Sequence, residues 1–161
     1  MAVWIDPVYD RTREDVEYAK QKIAEWIAAD TMENSLVVHD LKGCLNVSDL
    51  NRIEGNIKYL AEQITKYYYP ANALTKAWTN DNMPTEKDIE RIVSNIGVIL
   101  DAFYTPRLAP GVPDSMMRFN EVNAIEENLA LIKEILDIMV SSFRKSSTFY
   151  SGSTVRLPTR R

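Results

Sequence analysis

Ser48-Asp49-Leu50-Asn51-Arg52-Ile53-Glu54-Gly55-Asn56-Ile57 is the stretch on which the fold turns, because the chain returns to it twice. Lys87-Asp88-Ile89-Glu90-Arg91-Ile92-Val93-Ser94-Asn95-Ile96 repeats it 39 residues later, and Asn120-Glu121-Val122-Asn123-Ala124-Ile125-Glu126-Glu127-Asn128-Leu129 follows after a further 33. In each copy a polar start precedes apolar residues three and four apart, the signature of a helix beginning and presenting one apolar face. A period of this size suggests a solenoid when each unit holds two helices. Here each unit is one helix plus an irregular connector, so the expectation is a bundle with three helix starts arranged alike.

Each copy also sets an asparagine (Asn56, Asn95, Asn128) at the edge of its apolar stripe, where helix propensity disfavours it. One reading is a polar cluster where three helices converge on a ligand or ion. The other, which the rule that buried polar groups be satisfied supports, is that each amide serves backbone groups of the connector before it.

Working outward, residues 13–28 read as a helix with Thr12 as N-cap, Asp15 as its box partner and an apolar face of Val16, Ala19, Ile23, Trp26 and Ile27. Residues 49–66 follow Ser48 with a narrow seam of Leu50, Ile53, Ile57, Leu60 and Ile64, suited to pairing within the chain or between subunits. Residues 86–104 start from Thr85 and Asp88, and their wider stripe predicts the more buried helix. Residues 121–143, from Asn120, form the longest element, the expected spine. The fold class expected is all-α: a bundle of four main helices with long irregular connectors and an extended C-terminal arm. The divisions are an N-terminal segment at 1–12, the bundle at 13–145 and the arm at 146–161.

The connectors at 67–84 and 105–119 are long for a compact domain and proline-rich, so neither is helical throughout. A short hairpin around 67–79 is one option. Tyr67, Tyr68 and Tyr69, with Trp78, either cover an end of the helical core or form a platform on which sugar rings stack, the basis of an alternative glycan-binding or receptor-binding reading.

Charge is unevenly distributed. Arg144, Lys145, Arg156, Arg160 and Arg161 follow Phe143 with no acid, so the chain's net charge of -4 leaves -9 on residues 1–143. Such an acidic body repels a phosphate backbone, and the basic arm is expected to dock on protein rather than nucleic acid. Phe149, Tyr150, Val155, Arg156 and Leu157 are the expected partner-binding residues, since their apolar members gain by burial against a neighbour or against the chain's own body.

The same composition removes much chemistry. With one histidine, His39, and one cysteine, Cys44, no two-imidazole site, thiolate zinc cluster or intramolecular disulfide can form. His39 has Leu36 rather than a glutamate three residues before it, so the diiron motif is absent. No serine sits in a nucleophile-elbow pattern, and the five glycines are scattered. Carboxylate pairs such as Glu126-Glu127 and Glu33-Asp40 read as solvated faces. The expectation is no enzyme, no catalytic residue, no metal and no cofactor. No basic, apolar leader or membrane-length apolar run is present, so cytoplasmic synthesis and no membrane partner are expected.

Asp49-Leu50-Asn51-Arg52-Ile53-Glu54-x-Asn56-Ile57-x-Tyr59-Leu60-Ala61, Trp78-Thr79, Pro84-Thr85-x-x-Asp88-Ile89-Glu90-Arg91-Ile92, Asn123-Ala124-Ile125-Glu126-x-Asn128-Leu129 and Phe149-Tyr150-Ser151-Gly152 together carry a resemblance over about residues 10–152. In these motifs the chain is similar to a family of small helical proteins encoded in the tail modules of phages, prophages and phage-tail-like particles of Firmicutes. The resemblance implies a virion structural protein near the baseplate or tail fibres, without catalytic residues to carry over. Its partners would be other tail, baseplate or fibre proteins. Trimers or hexamers of the chain would match tail symmetry.

Overall fold

A computed structural model describes residues 2–30 and 40–146, the side chains of 144–146 excepted. The expected arm residues Phe149, Tyr150, Val155, Arg156 and Leu157 lie outside the described residues, as do Glu33 and His39. Among the described residues there are four helices, α1 (Arg13–Ala28), α2 (Val47–Lys66), α3 (Glu86–Ala102) and α4 (Phe119–Ser146), and no strand, so the hairpin at 67–79 does not form.

The helix starts follow their capping chemistry. Thr12 and Asp15 close a capping box on α1, and Thr85 and Asp88 close one on α3. At α2 the cap is Asn46 rather than Ser48: the Asp49 carboxylate accepts the Asn46 backbone N–H at 3.0 Å, while the Ser48 hydroxyl bonds Asp40. At α4 the Glu121 carboxylate reaches back to the Arg118 N–H at 2.9 Å, so this helix begins before Asn120.

α2, α3 and α4 run parallel. Near their starts Arg91 of α3 pairs with Glu54 of α2 at 2.6 Å, and Arg52 of α2 pairs with Glu126 of α4 at 2.7 Å. Near their ends the Tyr67 ring, just past α2, stacks on Phe143 of α4 at 6.3 Å, and Tyr69 meets Phe103, just past α3, edge-on at 5.3 Å. Parallel packing explains the connectors. A 20-residue helix climbs about 30 Å, so the chain must travel back at least nine or so extended residues before the next parallel helix can begin.

The core lies along the common axis, where Ile53, Ile57, Leu60, Ile64, Ile92, Ile96, Ile99, Ile125, Leu129 and Ile132 are fully buried. The α2 seam is therefore used within the chain, which removes it as a pairing surface between subunits. α2 is also more deeply buried than α3, against the expectation from stripe width, because its polar residues Asp49, Glu54 and Asn56 are bonded and covered by Arg11, Arg91 and the Ile5 backbone. α1 buries only Ala19 and stands at the side of the bundle's starting end, held where Gly43 meets it. A Cβ on Gly43 would lie 2.1 Å from the Asp15 carbonyl oxygen, so only glycine permits that approach.

Candidate functional site

Five asparagines on the three parallel helices grip the extended segments that run back between them. Asn56 accepts the Ile5 N–H at 3.0 Å and donates to the Ile5 carbonyl at 2.7 Å, using both ends of its amide as a neighbouring strand would. Asn95 does the same to Leu74 (3.1 and 2.7 Å), Asn51 to Trp78 (2.8 and 3.0 Å) and Asn123 to Arg11 (3.2 and 2.8 Å). Asn128 donates to the Pro110 carbonyl at 3.0 Å, and its Oδ1 is buried without a partner. Asn56, Asn95 and Asn128 thus do not meet in a ligand cluster. Asn95 and Asn128 hold the connectors before their own helices, as the satisfaction argument expects, and Asn56 holds the N-terminal segment, which packs as part of the bundle.

These grips follow one cycle. With the copies beginning at Ser48, Lys87 and Asn120 numbered first to third, two of the three segments are held by the late asparagine of one copy and the early asparagine of the copy before it. Residues 70–84 are held by Asn95 and Asn51, and residues 2–12 by Asn56 and Asn123. The ion pairs obey the same order: Arg91 of the second copy binds Glu54 of the first, and Arg52 of the first binds Glu126 of the third. The pair that would complete the ring falls on Ala124 and Val93. Both partners of that pair are apolar, and both are half-buried. The early asparagine of the second copy is also replaced, by Glu90. The body is a pseudo-threefold bundle with one side built differently.

The charged centre is dense and buried. One Arg11 nitrogen reaches Asp49 at 2.8 Å and Glu126 at 3.0 Å, and one Arg52 nitrogen reaches the same carboxylate oxygens at 2.5 and 2.7 Å. Two guanidiniums and two carboxylates thus neutralise one another, and the Glu126 hydrogen bond, despite opposing desolvation, pushes the Arg52 guanidinium further into its charged form. Glu126, expected on a solvated face, is 0 % exposed. Its signal in the sequence is its position in the repeated phrase, the same as that of Glu54. Cys44 is half-buried nearby, and burial pushes its thiol up, with the Asp49 charge adding to the effect.

The aromatic residues divide. Trp78 is 4 % exposed and donates its indole N–H to Glu54 at 3.3 Å, so it belongs to the core and not to a platform with the tyrosines. Tyr67 and Tyr69 lean on Phe143 and Phe103, covering the bundle's far end. Tyr68 alone is held out, 95 % exposed, at a left-handed φ of 68°.

Among the described residues no group of His, Cys, Asp and Glu is arranged to hold a metal ion, and no helix is long and apolar enough to cross a membrane. No family model, curated protein or solved structure matches the chain.

Proposed function

We propose that the chain is a structural component of a phage tail or phage-tail-like particle, acting in the baseplate or tail-fibre region through contacts with other proteins. The observation that carries this reading is where the motif residues stand. Asn51, Asn56, Asn95, Asn123 and Asn128 grip extended backbone. Arg52, Arg91, Glu54 and Glu126 pair between helices, and Trp78 packs in the core. The residues that resemble the tail-module family are thus those that tie long return segments to a rigid body. This is what a part needs when it transmits load to its neighbours rather than opening around a substrate.

Deleting the coding sequence from its host and inducing the particles tests the proposal. Negative-stain electron microscopy is expected to show tails lacking a distal part, or tails that fail to assemble. Complete particles of normal morphology and activity would overturn it. Full particles recovered only on resupply of the chain in trans, with the chain absent from them, would make it an assembly factor instead.

A further inference from the structure

The side of the bundle that breaks the repeat carries an open groove of about 470 Å³ at the helix-starting end. Its apolar surface comes from Leu45, Ile89, Met116 and Met117, the last 89 % exposed. Its charged lining is wholly acidic, from Glu86, Glu90 and Asp114, and all three carboxylates are exposed and without an ion-pair partner among the described residues. Glu90 occupies the phrase position from which Asn51 and Asn123 grip Trp78 and Arg11. On those two sides the gripped residue turns inward, Trp78 to Glu54 and Arg11 to Glu126. On this side Val93 replaces the receiving glutamate.

We propose that this groove receives residues 155–161 of a second copy of the chain, joining copies head to tail. This rests on the reading of the chain as a repeated structural part. Val155-Arg156-Leu157-Pro158-Thr159-Arg160-Arg161 offers two apolar side chains for the groove and three arginines for its three carboxylates, with no acid to oppose them. The chain's own arm cannot place Val155 there. α4 ends at Ser146, at the opposite pole, about 40 Å along a 28-residue helix from the groove. Val155 comes nine residues later, and nine fully extended residues span at most about 32 Å. The three sides of the bundle, moreover, already carry residues 2–12, 70–84 and 105–118. A contact between one pole and the opposite pole of the next copy is heterologous, so it builds a ring or an open filament.

The test is sedimentation velocity of the full chain across a concentration range, with two charge-reversed variants: Glu86→Lys/Glu90→Lys/Asp114→Lys in the groove and Arg156→Glu/Arg160→Glu/Arg161→Glu in the arm. The wild type is expected to grow with concentration, and each variant alone to lose at least tenfold in association while keeping its helical circular dichroism. An equimolar mixture of the two is expected to regain growth, since each arm then meets a groove of opposite sign. No association of the wild type at any concentration, association indifferent to the groove variant, or a mixture that fails to recover would each overturn the docking. None of these results would remove the chain from purified particles, so a failure here is distinguishable from a failure of the tail reading.

Discussion

Asn128 donates to the carbonyl of Pro110 at 3.0 Å, yet its own Oδ1 is buried with nothing to accept, because proline has no N–H to offer. At Ile5, Leu74, Trp78 and Arg11 the corresponding asparagine bonds both backbone groups of one residue. The five sites therefore compare a complete grip with an incomplete one inside a single molecule.

Asn56→Leu is expected to cost about 2 kcal/mol, since it strands the N–H and C=O of Ile5, and Asn128→Leu about half as much, since it also removes an unsatisfied oxygen. Urea unfolding read through the midpoint gives the comparison. Equal losses would show that the paired geometry at Ile5 adds nothing.

The missing third ion pair predicts a coupling. Ala124→Arg alone and Val93→Glu alone each place an unpaired charge at a half-buried site and are expected to destabilise. The double variant is expected to recover at least about 1 kcal/mol relative to the sum of the two. A double-mutant cycle with no favourable interaction would mean that the cyclic order of Arg91 on Glu54 and Arg52 on Glu126 does not extend to the third side.

How far this was legible from the sequence depended on distance along the chain. The caps at Thr12 and Thr85 and the like arrangement of the three later helix starts are readable, because capping is local and the phrase repeats. Ser48 reads as a cap, but Asn46, two residues earlier, meets Asp49 with the same chemistry and takes that place. The grips of Asn56 on Ile5 and Asn123 on Arg11 span 51 and 112 residues, and no local pattern names such a partner. Glutamate ordinarily stays in solvent, and at Glu126 that habit is overridden by two arginines arriving from other elements.

Acid sensitivity follows from Asp88. Hydrogen bonds from the Thr85 hydroxyl and backbone, aided by Lys76, hold its carboxyl down at about 2 from an ordinary 3.8. A carboxyl depressed in the folded state contributes stability that is full above its unfolded value and is lost as pH falls from about 4 towards 2. Melting temperatures measured over that window are expected to fall less steeply for Asp88→Asn than for the wild type. Identical slopes would remove Asp88 from the acid response.

Tyr68 closes the end of α2 in a Schellman arrangement, with the Tyr69 N–H on the Ile64 carbonyl at 3.2 Å and the Tyr68 N–H on that of Thr65 at 3.1 Å. The left-handed position between them suits glycine. Tyr68→Gly is expected to stabilise the monomer by about 1 kcal/mol in thermal unfolding, with Tyr68→Ala close to neutral. A destabilised glycine variant would mean that the exposed ring makes contacts that hold the fold.

The most direct measurement of the central claim is quantitative mass spectrometry of phage or tail-like particles purified from an induced lysate of the source organism. The chain is expected in those particles at a fixed multiple of the other tail proteins, unchanged through further purification. Its absence from them, with the chain left soluble in the lysate, would contradict the assignment.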